Sequence, residues 1–435
     1  IVKSKDIVIH THNRRMDPLE NEVVRGDILS SDGSIIATTT QGATSVRSYP
    51  KERKYAHILG YTQRGKIGVE ALANIELLRA NYNLESIYKK TFYGDKFIGR
   101  DIVITIDHQL QEVAYNALGD QKGAVVLIEP STGKIKALVS KPDFDPNKIS
   151  QNWETLIEDN TNSPLLNRAF SGLYPPGSIF KIITAQAFFD SKGNDDDLAY
   201  HCTGSITVDH HTIRCFNQTA HGDINLEEAF IKSCNTYFVN MALELGTKEL
   251  KKTGDQLLFN TILPIPFEHS KSQLLTNASI SNSELAATSI GQGKTLVTPI
   301  HMAMLAASIA NEGVLMEPYI LDYSKDKKGN IKTKTLPQYV SQVFRSEDAK
   351  RLEQMMVQVV TQGTGRKAAV KGMYVGGKTG TAQNETDKDH SWFMGFLGKN
   401  QKPELAMAII VENGGKGAQA SVVAGKIVRA YQRSN

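Results

Sequence analysis

The run Pro175-Pro176-Gly177-Ser178-Ile179-Phe180-Lys181 constrains this 435-residue chain more than any other stretch. Two prolines and a glycine cannot continue a helix backwards, so a helix has to begin near Ser178. The residues from Ile179 to Phe189 are mostly apolar and predict a buried helix. Residues three apart share a helix face, so Ser178 and Lys181 can touch. A hydroxyl beside a buried amine is an activated nucleophile, because a desolvated lysine loses its proton more easily and can accept one from the serine. The plainer readings are a helix N-cap for Ser178 and a solvated helix lysine for Lys181. Phe180 and Ile182 to Thr184 favour burial of Lys181 instead, and a buried lysine needs partners or must lose its charge.

Ser-x-x-Lys alone is a common pattern. It recurs at Ser86 to Lys89, in a charged stretch, and at Ser131 to Lys134, where Pro130-Ser131-Thr132-Gly133 between two β-rich runs predicts a hairpin turn. Ser178 is distinguished by two motifs downstream of it, Ser233-Cys234-Asn235 and then Lys378-Thr379-Gly380-Thr381. These too have copies without context. Ser150-Gln151-Asn152 stands by itself, and Lys252-Thr253-Gly254 reads as a polar turn. Lys378-Thr379-Gly380 instead precedes Ser391 to Phe396, which predicts a paired strand.

The order of elements points to an α+β fold. Residues 1–107 are rich in Lys, Arg, Gly and short β-type runs, with one helix expected from Gly68 to Asn83. Ile102 to Ile106 reads as a linking strand and His108 to Leu118 as a helix. Strands are expected at Ala124 to Glu129 and Ile135 to Ser140. Helices follow at Leu226 to Lys232, Thr236 to Leu245 and Pro299 to Asn311. Strands return at Tyr374 to Gly377, Trp392 to Leu397 and Leu405 to Val411, before a last helix at Ser421 to Arg433. Strands at both ends of a helical middle predict a mostly antiparallel sheet. Lys325 to Lys334 reads as a charged surface loop. The expected domain boundary falls between 107 and 108, giving domains of 1–107 and 108–435. A net charge of +4 gives no case for nucleic acid, and no 18-residue apolar run is present.

In this order the three motifs resemble those of penicillin-binding proteins and serine β-lactamases. The wider pattern resembles a class B penicillin-binding protein almost end to end. Val24-Arg25-Gly26-Asp27-Ile28 with Asp32-Gly33 resembles the family's opening motif. Tyr49-Pro50, Ala56 to Tyr61 and Gly68-Val69-Glu70 resemble its next blocks. Thr105 to Gln111 resembles the junction into the catalytic domain, and Gly123 to Asn147 that domain's first hairpin. Leu166 to Ala169 leads to the serine, and Gly291-Gln292-Gly293 with Val297-Thr298-Pro299 matches a further segment. The resemblance implies a penicillin-binding transpeptidase domain, an antiparallel sheet with a helical subdomain, on an extended β-rich N-terminal pedestal. It implies a monofunctional peptidoglycan D,D-transpeptidase that cross-links stem peptides and is acylated by β-lactams. It also implies a membrane-anchored enzyme at the extracytoplasmic face, with a membrane glycosyltransferase partner bound through the pedestal. The anchor would lie outside this chain.

Each motif residue then has a role to fill. Ser178 is the candidate nucleophile and Lys181 the base. The Ser233 hydroxyl can relay a proton to the leaving amine, and the Asn235 amide can hold Lys181 and a substrate carbonyl. Lys378 supplies positive charge for a terminal carboxylate, and Thr379 adds a hydroxyl. Gly380 leaves a strand edge bare for an added peptide strand. The backbone N–H of Thr381, with that of Ser178, would form the oxyanion hole. The acyl transfer requires no cofactor. Two rivals stand beside this reading: a D,D-carboxypeptidase with water as acceptor, and a non-catalytic β-lactam-binding scaffold or sensor.

All three cysteines, Cys202, Cys215 and Cys234, fall in one stretch with His201, His210, His211 and His221. Three thiols and one imidazole suit tetrahedral zinc, although the spacing matches no common zinc finger. A Cys202–Cys215 disulfide with Cys234 buried is the other reading. Some relatives of the elongation type carry a metal site in this segment, and that resemblance implies Cys202, Cys215, His221 and Cys234 as ligands of a structural zinc. Cys215 stands where those relatives usually carry Asp.

Overall fold

The computed structural model describes residues 22–40, 45–80, 84–193, 198–274, 280–383, 388–415 and 419–434. The chain divides into two compact units that interleave along the sequence. One comprises Ile1–Glu112, Lys134–Asn167 and Tyr319–Pro337; the other comprises Val113–Gly133, Arg168–Pro318 and Gln338–Asn435.

The first unit is built on a six-stranded sheet in the order Ile331–Lys334, Leu321–Lys325, Asp101–Ile104, Ile28–Leu29, Ile35–Thr40 and Val46–Ser48. Ile28–Leu29 runs parallel to Asp101–Ile104, and the other described pairs are antiparallel. Ile28, Ile36, Ile102, Val103 and Ile104 form its buried apolar strip. Glu70, fully buried, is held by Arg25 Nε and Arg47 Nε, each at 2.7 Å. Burial opposes its charge, but the two guanidiniums overcome that and keep its carboxyl below the usual range.

Two expectations change here. The segment Lys325 to Lys334, expected as a loop, is mostly a β-hairpin, with Lys325 paired to Ile331 and Tyr323 to Lys334. The single helix expected over Gly68 to Asn83 is two short ones, Gly68–Leu72 and Asn74–Leu77, and residues 81–83 lie outside the described set. A further helix, Leu84–Tyr93, carries the Ser86-to-Lys89 copy of the serine-lysine pattern; those two side chains also lie outside the description.

The second unit contains, in chain order, β1 (Gly123–Ile128), α1 (Lys181–Lys192), β2 (Tyr200–Cys202), β3 (Ser205–Val208), β4 (His211–Arg214), β5 (Gly222–Ile224), α2 (Leu226–Lys232), α3 (Asn235–Gln256), α4 (Pro299–Ile309), α5 (Ser346–Thr361), β6 (Tyr374–Ala382), β7 (His390–Lys399), β8 (Lys402–Val411) and α6 (Ala420–Ser434). Strands run β6-β7-β8-β1, all antiparallel, with β6 at the sheet's edge. Trp392 to Leu397 and Leu405 to Val411 are buried at every position, so both faces of these strands are covered. Helix α4, buried at every residue, packs on β1, β7 and β8, α6 on β7 and β8, and α5 on β6. Helices thus cover the strands behind the edge that β6 presents.

Candidate active site

The Pro-Pro-Gly stop works as the sequence predicts, with one refinement. Residues Gly177–Phe180 form a 3₁₀ turn that runs straight into α1, so Ser178 lies inside the first turn and is no N-cap. Gly177 has φ +55° and donates its N–H to Gly291 O at 2.8 Å. A Cβ on Gly177 would stand 2.4 Å from Thr381 O, and one on Gly380 would stand 2.8 Å from Pro176 O. Only glycines allow the serine turn and the end of β6 to approach so closely. Trp392 Nε1 donates to Pro175 O at 2.9 Å and fixes the turn from the sheet side. Ser178 is half-buried, and its hydroxyl makes no hydrogen bond among the described residues.

Lys181 is fully buried. Its Nζ donates to Ser233 O (2.7 Å), Ser233 Oγ (3.1 Å) and Asn235 Oδ1 (2.7 Å). The Phe238 ring lies 5.6 Å beneath the amine. Burial lowers its pKa to about 7, so the group exchanges its proton near neutrality. None of its three hydrogen-bond partners is a carboxylate.

Ser233 ends α2 and is held at φ 56° in the left-handed region; α3 starts at Asn235. That sharp corner turns the Ser233 hydroxyl toward both buried lysines, since Lys378 Nζ also donates to Ser233 Oγ, at 2.9 Å. Asn235 also binds on its other side: its Nδ2 donates to Arg214 O at the end of β4 (2.8 Å), tying the β3–β4 hairpin to this cluster. Lys378 is likewise fully buried, with the Phe230 ring 5.7 Å away. Burial and then the charge of Lys181 hold its pKa well below the usual lysine range. Thr379 Oγ1 lies 2.6 Å from Thr364 Oγ1, and Thr381 is exposed on the free edge of β6.

The structure therefore gathers Ser178, Lys181, Ser233, Asn235, Lys378, Thr379, Gly380 and Thr381 around one edge. The copies fall elsewhere: Lys252-Thr253-Gly254, expected as a turn, is part of α3, with Thr253 buried. Sequence reading missed Thr364 and the Arg214 carbonyl. The only signal for Thr364 is its place between Gly363 and Gly365 just after α5.

A second cluster adjoins the first. Cys202 Sγ lies 3.8 Å from Cys215 Sγ and 3.3 Å from His221 Nδ1, and Cys215 Sγ lies 3.7 Å from Cys234 Sγ. One ligand atom from each of the four residues lies within 4.8 Å of all the others. All three thiols are free, with sulfurs nearly twice a disulfide length apart. Zinc–sulfur bonds of about 2.3 Å at tetrahedral angles separate sulfurs by about 3.8 Å, so the donor set fits that ion.

Comparison with known proteins agrees with this geometry. Residues 123–432 match the family described as penicillin binding protein transpeptidase domain, and residues 25–98 match penicillin binding protein A dimerisation domain. The chain is 33% identical to the peptidoglycan D,D-transpeptidase PbpA of Mycolicibacterium smegmatis, over 92% of this chain and 88% of that protein. It is 30% identical to the peptidoglycan D,D-transpeptidase MrdA of Acinetobacter baumannii, over 87% of this chain and 65% of that one. Penicillin-binding protein A of M. tuberculosis, solved as an imipenem acyl-enzyme complex, aligns with a TM-score of 0.85 at 29% identity, covering 94% of this chain and 99% of that one.

Proposed function

The chain belongs to the penicillin-binding protein transpeptidase family, and from that premise we propose how its own residues carry out peptidoglycan D,D-transpeptidation. The enzyme cross-links stem peptides through a serine acyl-enzyme and is acylated by β-lactams. Ser178 Oγ attacks the penultimate D-alanine carbonyl while its proton passes to neutral Lys181. The N–H groups of Ser178 and Thr381 hold the resulting oxyanion. Lys181 returns the proton through Ser233 Oγ to the departing D-alanine amine. Lys378 and Thr379 bind the terminal carboxylate, whose negative charge favours the protonated form of Lys378. The donor peptide lies along the bare β6 edge at Gly380. An amine of a second stem peptide then attacks the ester and releases Ser178.

The observation that carries this reading is the buried Lys181 amine, bonded to Ser233 and Asn235 within one chain turn of Ser178. The test is intact-protein mass after incubation with a penicillin. A single adduct is expected on the wild type and none on Ser178→Ala. An adduct that persists in the variant assigns the nucleophile elsewhere.

For Cys202, Cys215, His221 and Cys234 we propose a structural zinc, on the sulfur spacing and the S₃N donor set. When bound, the ion supplies a rigid cross-link between the strands before α2 and the start of α3. In this proposal residues 1–107 act as the pedestal and 108–435 as the catalytic domain, on the separate family matches over 25–98 and 123–432, although residues 134–167 and 319–337 fall in the first compact unit. In this proposal the pedestal engages a membrane glycosyltransferase, and the chain works at the extracytoplasmic face of the membrane. No helix among the described residues is long and apolar enough to cross a membrane.

A further inference from the structure

Thr236, the second residue of α3, is fully buried. Its Oγ1 lies 3.2 Å from Cys202 Sγ, 3.3 Å from Cys234 Sγ and 3.8 Å from Cys215 Sγ. One hydroxyl therefore caps all three sulfurs.

A buried hydroxyl set against three sulfurs is more than neutral thiols need. A thiol is a weak acceptor and is content as a small apolar group. Three thiolates around one divalent zinc instead leave about one negative charge in a buried site, which must be met by hydrogen-bond donors or dipoles. The first turn of α3 provides both, since unpaired amides at a helix start carry partial positive charge. The amides come with any sequence at this helix start. The Thr236 hydroxyl is specific to this residue, and it touches both Cys234 and Cys202, which lies before the hairpin.

We propose that Thr236 is a positioning residue for the zinc site, its hydroxyl donating its one proton to the Cys202 thiolate at 3.2 Å and so holding that sulfur beside Cys234 in ligating geometry. Because α3 also starts with Asn235, the same turn that supports the metal presents the amide that holds Lys181. The inference rests on the zinc reading of the four ligands.

The test uses the full chain and reads metal affinity, not activity. Zinc is withdrawn by a chromophoric chelator in competition, and cobalt is loaded to read the thiolate-to-metal charge-transfer band and the tetrahedral d–d bands. Thr236→Val, close in shape but without the hydroxyl, is expected to weaken zinc binding by about tenfold or more, the usual cost of losing an outer-shell partner. Thr236→Ser, which keeps the hydroxyl, should restore most of it. Wild-type affinity in Thr236→Val overturns the role of the hydroxyl while leaving the zinc site standing. Equal loss in both variants overturns it too, because packing would then be the cause. A wild-type protein that takes up neither zinc nor tetrahedral cobalt overturns the zinc reading itself.

Discussion

Asn235 holds Lys181 by a 2.7 Å hydrogen bond from the buried amine to its Oδ1, and with its other end it grips the carbonyl of Arg214. A single amide thus joins the base to a hairpin of the neighbouring cysteine-rich stretch. Asn235→Ala leaves the buried amine with two acceptors instead of three. In the protonated amine that leaves one N–H unmet, at about 1–3 kcal/mol, so thermal stability should fall at pH below about 7, and acylation should slow because the base loses the contact that positions it. Asn235→Asp separates the electrostatic part: a carboxylate in place of the amide favours the charged amine and should move the pH midpoint of acylation upward. An unchanged midpoint in that variant would show that Lys181 is not the titrating base.

The pH dependence of the wild type follows from the same amine. Lys181 titrates at about 7 in the fold, far below an ordinary lysine, because burial penalises its charge. As a base it works only when neutral. The acylation rate should therefore climb as pH rises through about 7 and then level off, which stopped-flow measurements with a chromogenic cephalosporin can follow. Stability moves in the same direction. Between about 7 and the unfolded value the unfolded chain binds the extra proton, so this group's contribution to folding stability grows as pH rises through that window. An acylation rate flat across neutral pH would sink the assignment.

Thr364 stands 2.6 Å from Thr379 and can donate into its hydroxyl, leaving the Thr379 proton free for the substrate carboxylate. Thr364→Val should raise the apparent binding constant for carboxylate-bearing ligands by about fivefold, the worth of a hydrogen bond of about 1 kcal/mol, with a smaller change in the limiting acylation rate. In a Thr379→Val background the same substitution should add almost nothing. Additive losses would mean that Thr364 acts on its own.

These residues differ in how far the sequence reveals them. Ser178 is legible because Pro-Pro-Gly dictates a turn whatever surrounds it. The helix Leu226–Lys232 appears over its expected span, started by an Asn225 side chain that caps Glu228 N. Thr364 is not legible, because Gly-Thr-Gly after a helix is an ordinary ending and its partner lies 15 residues away in another element. Strand β6 extends past Gly377 to Ala382 because its ladder with β7 continues through Gly380, where a glycine-rich composition signals a break. The outer strand Ile331–Lys334 is exposed at every residue, so no alternation of apolar and polar side chains marks it as a strand. Its neighbour supplies the pairing that its own composition does not suggest.

Gly177 offers the sharpest test of how the nucleophile is set. Its φ of +55° already disfavours any side chain, by about 1–2 kcal/mol. A methyl group would also stand 2.4 Å from the Thr381 carbonyl, against backbone that cannot rotate away. Gly177→Ala should thus push β6 off the serine turn, parting the two amides that form the oxyanion hole. Acylation should fall by at least about a hundredfold, as for loss of one such donor, with a modest drop in Tm. Wild-type acylation in a folded Gly177→Ala protein would mean that the two segments need not touch.

Removal of the proposed zinc is the remaining test, and it bears on both clusters at once. Cys234 lies between Ser233 and Asn235, so a ligand bond at its sulfur restrains the residues on either side. A zinc-free sample, prepared with chelator and verified by elemental analysis, should melt earlier and acylate more slowly than the loaded protein. Re-addition of zinc should restore both. The slower acylation should come from misplacement of Ser233 and Asn235, so the Asn235→Ala variant, already missing one of these contacts, should respond less to the chelator than the wild type does. Identical melting and acylation with and without the ion would separate the cysteine cluster from catalysis altogether.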